Sequence, residues 1–492
     1  MQSGADSRNS IPKSELALHL FVWAAILAAA CLNIGRSIRA DDVWSLSAAS
    51  QSFRDLLAAV HADVHPPLYF LVLKPWVRLL GPSEPAARLL SILFHLAAAG
   101  MVFLLGRRLA GRGAGLLCAA IHALAPLAVL SAELVRMYSL AGLLSATALW
   151  LWTIAAERPA KPRIWAALML AVTLGSFTHI WSLCFIAGLG LASIVHFPRR
   201  AVKLLAAIAV ALLPFALFWL PVLVAQVNNS GDSAAWLKPP SLSSLGELAF
   251  LHLGVVPLFL LFFLSGKLRR RTPASPVPPW VPTIYVSTLL PPLLISFWKP
   301  FFFSRFTIVA LPVLAIGLGC LLSRIKPAPL AASISAVALV FFIGAKEIAP
   351  GCDARGAART LAHSLSDGDI VVFGSLSRPP VDYYLNSLAP RRAWREQSFP
   401  SVIDSHPGYE GAHLRASDLT PLRTEALATA ETFRQSGARR VYFLAGGRPQ
   451  IDAPLIDALR QHYVQGPGLL ICDRGDYFTR ILLFQRPGST AR

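Results

Sequence analysis

The chain has 492 residues, 55% of them hydrophobic and only 14% charged, with a mean hydropathy of +0.56. A soluble protein carries about 25% charged residues, so an ordinary soluble enzyme is excluded. The formal charge of +19 does not point to nucleic acid, because the basic residues fall in short clusters between apolar runs, the pattern that orients a membrane protein.

Lys13 precedes the first apolar run and no small-residue cleavage site follows, which predicts a retained first helix. Eleven runs predict crossings: Leu16–Ile34, Ala86–Leu105, Gly113–Leu130, Met137–Ala155, Ile164–Phe177, Trp181–Val195, Leu204–Val224, Leu248–Leu264, Trp280–Phe297, Phe306–Leu322 and Leu330–Ala345. The fifth and sixth form one stretch, too long for a single crossing of about 20 residues, with its break at Thr178-His179. Basic clusters follow the second (Arg107, Arg108, Arg112), fourth (Arg158, Lys161, Arg163), sixth (Arg199, Arg200, Lys203), eighth (Lys267, Arg269, Arg270, Arg271) and tenth (Arg324, Lys326) runs. Each falls on the side of Arg8 and Lys13. The N-terminus is therefore expected in the cytoplasm, and everything after Pro350 outside.

Three expected outside segments exceed a turn. Arg36–Pro85 contains Pro66–Leu80, whose length and whose Lys74 and Arg78 predict an interfacial helix. Gln226–Leu245 is polar. From Pro350 onward the composition changes to that of a small α/β domain. Strands are expected at Asp369–Gly374, Arg440–Ala445, Leu469–Cys472 and Phe478–Phe484, and helices at Thr424–Gln435 and Pro454–Tyr463. No GxGxxG or Walker pattern is present, and Gly446-Gly447 alone does not make one. The expected fold class is a polytopic α-helical membrane protein, with a transmembrane domain over residues 1–349 and an extracytoplasmic α/β domain over 350–492. Of six cysteines, four lie in apolar runs as packing residues, whereas Cys352 and Cys472 both lie in the outside domain, where a disulfide is one alternative.

Asp41-Asp42 follow the first run. One reading is a cap for a helix beginning at Val43; the other is a general base taking a proton from an incoming hydroxyl. Asp63-Val64-His65-Pro66-Pro67-Leu68-Tyr69 enters the interfacial helix. There the prolines suit a helix start, and His65 faces headgroups or a ligand. Arg88 snorkels or binds. Glu133 and Arg136, in a short turn before Tyr138, are costly against lipid, so Arg136 is an anchor or a phosphate fork. His179 and Arg305 are expected at the same depth.

These residues resemble bacterial GT-C glycosyltransferases, the family 39-like enzymes related to protein O-mannosyltransferases and lipid A aminoarabinose transferases. The acidic pair with small and aromatic residues after it matches Asp41-Asp42-Val43-Trp44-Ser45, although the family usually has Glu at the position of Asp42. His65–Tyr69 resembles the motif that follows, and Gly81–Ser91 the G-x-S-E and R-L-x-S pattern. Glu133–Leu140 resembles the E-x-R-M-Y-S-L turn with one extra residue between Glu133 and Arg136. Thr178-His179 and Arg305-Phe306 have counterparts too. The order of these motifs is shared over residues 35–310; the C-terminal domain is less similar.

The resemblance implies a bacterial inner-membrane enzyme that takes a sugar from a polyprenyl-phosphate donor and transfers it, with inversion, to a glycan, lipid or protein acceptor on the extracytoplasmic face. Asp41 is then the base, with Asp42 beside it; Arg136 and Arg305 hold the donor phosphate, assisted by His65 and Tyr138. Asp63, Arg88, Glu133 and His179 are further site candidates. Some relatives hold a divalent metal ion, which the motifs here leave open. Two other classes fit the hydrophobicity: a transporter or flippase for lipid-linked sugars, which requires mid-membrane charges and repeated halves, and a non-catalytic envelope scaffold or sensor, which tolerates loss of Asp41.

Overall fold

A computed structural model of the chain describes residues 12–157, 161–229, 237–264, 277–323, 326–345, 353–404, 419–445, 449–470 and 480–488. Cys352, Cys472, Gly446-Gly447 and several of the orienting basic residues (Arg8, Arg158, Lys267, Arg269, Arg270, Arg271, Arg324) lie outside them. The chain divides into two compact units. One is Met1–Ile34, Ala49–Gln226 and Pro239–Ile348; the other is Gly35–Ala48, Val227–Lys238 and Ala349–Arg492. The division after Ile348 falls beside the expected boundary, while the segment carrying the acidic pair groups with the C-terminal residues, which hold it by hydrogen bonds described below.

In the first unit every expected apolar run is helical. α1 is Lys13–Cys31, α2 Ala40–Ser50 (shared with the second unit), α3 Phe53–Ala62, α4 Leu68–Leu80 and α5 Glu84–Ala110. α6 (Arg112–Ala123) and α7 (Pro126–Glu133) come from one run, bent by 61° where Pro126 cannot continue the hydrogen-bond ladder. α8 (Tyr138–Glu157), α9 (Pro162–Ser176) and α10 (Trp181–His196) follow. The run after them is α11 (Pro198–Phe218) and α12 (Leu220–Asn229), and the next is α13 (Leu242–Leu253) and α14 (Val256–Leu264). α15 is Trp280–Ile295, a 3-10 turn covers Ser304–Ala310, and α16 (Leu311–Leu322) and α17 (Pro327–Ala345) close the unit. Among the described residues six helical segments are long and apolar enough to cross a bilayer, counting the 3-10 turn with α16 as one, and seven if the bent pair is one span. The run Pro66–Leu80, expected as an interfacial helix, contains the helix α4, ended by Gly81 at φ 81°.

Small residues let the central helices approach. A Cβ on Gly106 of α5 would lie 2.7 Å from Cys118 Sγ of α6, and one on Gly115 of α6 2.7 Å from the Phe103 carbonyl of α5. Only glycine permits this crossing, the small-residue packing of membrane helices. Two polar contacts fix one end of the unit. Arg108 at the end of α5 pairs with Glu157 at the end of α8 at 3.1 Å, and Arg200 at the start of α11 donates to the Ala155 carbonyl at 3.0 Å. Arg108 and Arg200, from two of the basic clusters, thus both meet the C-terminal end of α8. α8 rises about 1.5 Å per residue, so its other terminus, Tyr138, lies about 30 Å away, a bilayer core's thickness.

In the second unit the strands are β1 (Ile370–Gly374), β2 (Arg395–Phe399), β3 (Arg440–Ala445), β4 (Val464–Gln465), β5 (Leu469–Leu470) and β6 (Arg480–Gln485). They form a mixed sheet of order β2-β1-β3-β6-β4, with β5 also on β6. β1 runs parallel to β2 and β3, and β6 antiparallel to β3. All five residues of β1 are buried, as a central strand covered on both faces must be. Ile370, Val372, Val441 and Phe443 pack with Ala426 of α20 (Thr420–Gln435) and Leu455 of α21 (Pro449–Arg460). On the opposite face the Tyr442 hydroxyl donates to the Ser364 carbonyl at the end of α18 (Ala354–Ser364), and Arg378 of α19 (Arg378–Leu388) lies over the Phe373 ring.

Candidate active site

 The first unit's candidate site begins with a backbone bond. The Leu68 N–H at the start of α4 donates to the Phe177 carbonyl at 3.0 Å, which joins the His65-Pro66-Pro67 entry to the break between α9 and α10. There the Thr178 hydroxyl donates back to the Leu174 carbonyl at 2.7 Å and ends α9. His179 follows, and its Nδ1 accepts the Trp181 backbone N–H at 3.2 Å. In a neutral ring this puts the proton on Nε2. That Nε2, like Nδ1 of His65, is buried with no hydrogen-bond partner among the described residues.

The two imidazoles have centroids 5.7 Å apart. Tyr138 at the start of α8 lies 5.8 Å from His179, and Phe306 of the 3-10 turn lies 4.9 Å from His179, 6.3 Å from Tyr138 and 6.4 Å from His65. Arg136, 6% exposed, adds its charge. Burial lowers the His65 pKa well below its usual value, with the Arg136 charge and then His179 adding to the shift. Burial, then Arg136, lowers His179 to about 3. Both rings are therefore neutral beside a buried guanidinium. Nitrogen donors and one fixed positive charge suit an anion, because phosphate oxygens accept what these groups donate.

Arg305 is placed by the same turn, with its guanidinium 5.3 Å from the Phe303 ring centroid. α13 holds that turn: Ser304 Oγ donates to Glu247 at 2.6 Å, and His252 Nε2 meets Thr307 Oγ1 at 2.7 Å while the Tyr285 hydroxyl meets His252 Nδ1 at 3.0 Å. Thr307 itself donates to the Ser304 carbonyl, which makes His252 the donor at Nε2 and the acceptor at Nδ1. Sequence reasoning missed these supports. Ionisable residues inside or beside an apolar run, Glu247 and His252, were the available signal.

Arg88, Glu133 and Asp63 make contacts that hold the local structure. Arg88, expected to snorkel or bind, is 2% exposed and donates from Nε to the Glu133 carbonyl at 2.8 Å and from Nη1 to the Ile34 carbonyl at 3.0 Å. It braces the end of α1 against the Arg136 turn. Glu133 Oε1 accepts from Asn33 at 2.6 Å. The Asp63 N–H donates to the Ala59 carbonyl and ends α3.

In the second unit, α2 begins at Ala40 rather than Val43, so the acidic pair lies inside its first turn. The Arg39 carbonyl accepts the Val43 N–H at 2.9 Å, making Arg39 the cap residue, and Asp42 Oδ2 accepts the Arg39 N–H at 3.4 Å. That is the reciprocal half of a capping box. Asp42 is fully buried, whereas Asp41 is half-buried. The capping explanation thus attaches to Asp42, and Asp41 is the more accessible carboxylate.

The profile of the family described as dolichyl-phosphate-mannose-protein mannosyltransferase matches residues 64–224, which include His65, Arg136, Tyr138 and His179. The fold is similar to that of ArnT from Cupriavidus metallidurans in the apo state, with TM-score 0.59 and 13% identity over 96% of this chain and 98% of that one. ArnT bound to undecaprenyl phosphate aligns with TM-score 0.54, again at 13% identity, over 97% and 98% of the two chains. The mannosyltransferase profile covers about a third of the chain, and the likeness to ArnT is one of fold. The apo oligosaccharyltransferase of Archaeoglobus fulgidus is a more distant likeness of fold, with TM-score 0.50 and 12% identity over 92% of this chain and 73% of that one. A search of curated protein sequences finds no match. Among the described residues no three His, Cys, Asp or Glu side chains converge to hold a metal ion. The paired histidines with Arg136 fit an anion instead.

Proposed function

We propose that this membrane glycosyltransferase takes its sugar from a polyprenyl-phosphate donor and passes it, with inversion, to an acceptor on the extracytoplasmic face of a bacterial inner membrane. The observation that carries the donor assignment is the buried Arg136 beside two neutral histidines, each with one ring nitrogen (His65 Nδ1, His179 Nε2) that has no hydrogen-bond partner among the described residues. In the reaction Asp41 takes the proton of the acceptor's hydroxyl or amine, whose lone pair attacks the anomeric carbon. The bond from that carbon to the phosphate oxygen breaks, and its electron pair leaves with the polyprenyl phosphate. The growing negative charge is met by Arg136 and Arg305, and by N–H donation from His179 and His65. A membrane-anchored donor accords with the lack of a nucleotide-phosphate loop in the sequence.

The test is transfer of radiolabelled sugar from a polyprenyl-phosphate donor by purified protein in lipid. Asp41→Asn should insert normally and lose transfer, whereas Asp42→Asn, which still accepts the Arg39 N–H, should retain a measurable fraction. Wild-type transfer by Asp41→Asn would sink the assignment of the base.

A further inference from the structure

The residues leading into α2 are held by the far end of the chain. Tyr384 of α19 accepts the Ile38 backbone N–H on its hydroxyl at 2.8 Å, across a sequence separation of 346. Ser37 Oγ donates to Asp353 Oδ1 at 2.7 Å, and the Arg355 N–H donates to Ser37 Oγ at 3.3 Å. Arg355 Nη2 donates to the Gly35 carbonyl at 2.9 Å, while its guanidinium stacks 5.6 Å from the Tyr384 ring centroid. Asp353 is also the N-cap of α18, accepting the Gly356 N–H at 2.9 Å. Ile38 is 1% exposed and Tyr384 7%. Gly35, Ser37 and Ile38 are thus gripped from the start of α18 and from α19. Immediately after them, Arg39 and Asp42 close the cap that sets the direction of α2.

We infer that Tyr384, with Asp353 and Arg355, is a positioning device for Asp41: the C-terminal domain latches the entry to α2 and so fixes where the base's carboxylate stands. This rests on the reading of Asp41 as the base. Tyr384 touches no reacting atom and acts through the Ile38 backbone. A backbone N–H fixed at Ile38 constrains the helix axis three residues before Asp41, and transfer geometry tolerates little displacement, a 1 Å error reducing rate by about 100-fold. Loss of the latch should therefore slow turnover without weakening donor binding, which is made by the other unit's cluster.

The experiment uses the full-length enzyme in lipid nanodiscs. Tyr384→Phe keeps the ring and its stacking with Arg355 but removes the acceptor of the Ile38 N–H. Ser37→Ala removes the second bond without altering the C-terminal domain. Each is measured for kcat and for KM toward a polyprenyl-phosphate sugar, and for hydrogen exchange of the peptide covering residues 35–45. The expected result is exchange at that peptide at least 10-fold faster, kcat reduced 10-fold or more, KM within 2-fold, and unchanged exchange in β1 and β3. Unchanged exchange at 35–45 in both variants overturns the latch. Faster exchange with wild-type kcat overturns the positioning role. Asp41→Asn is assayed alongside: if it turns over normally, the base assignment fails, while the exchange result still decides whether the latch exists.

Discussion

Replacing Arg136 with methionine removes the fixed charge of the anion cluster while keeping a side chain of similar length. The guanidinium is 6% exposed, so solvent screens it little. A hydrogen bond to a charged group contributes about 1.5–3 kcal/mol, and a guanidinium can make two to one phosphate. A loss of about 3 kcal/mol corresponds to roughly 150-fold weaker binding. The assay is titration of the purified protein in nanodiscs with tritiated polyprenyl phosphate. The same substitution removes the second cause of the lowered pKa of both His65 and His179, so the pH below which lipid binding strengthens should move upward. Affinity within about 3-fold of wild type, with an unmoved pH profile, would refute the phosphate-holding role of Arg136.

Stability should depend on pH through the same histidines. Both are held neutral in the folded protein, below the unfolded value of about 6.5, so only the unfolded chain takes up protons as pH falls through that value. Stability is full above about pH 6.5 and declines below it, by at most about 1.4 kcal/mol per histidine per pH unit. Thermal unfolding between pH 7.5 and 5.5 should show this, and His65→Gln with His179→Gln should flatten the slope; an unaltered slope would place the titration elsewhere. Gly106→Val should force α5 from α6, costing about 1–3 kcal/mol, seen as a lower Tm in detergent, whereas Gly100→Ala, whose Cβ meets nothing within 4 Å, should not.

Much of the fold was legible because lipid imposes one rule: about 20 apolar residues, then polar ones. Every expected run is helical. The bend at Pro126 was missed although the proline stood in the run, since hydropathy does not register direction. β2 was missed because an edge strand with pattern Arg395–Phe399 exposes its first residue and is only half-buried at the next two, leaving no apolar run to find. At the site, residue types and order singled out His65, Arg136, Tyr138, His179 and Arg305, but not what they touch. Arg88 shows the limit. Its sequence context admitted snorkelling or binding, whereas its partners are carbonyls 45 and 54 residues away, a choice made by packing and not by local pattern.

The bonds from Ser37 and Ile38 to Asp353 and Tyr384 span 316 and 346 residues of chain. At a synthesis rate of about 5–20 residues per second, the segment bearing the acidic pair waits on the order of 20 to 70 s for its partners. A nascent chain therefore forms its early membrane helices long before Ser37 and Ile38 can meet Asp353 and Tyr384.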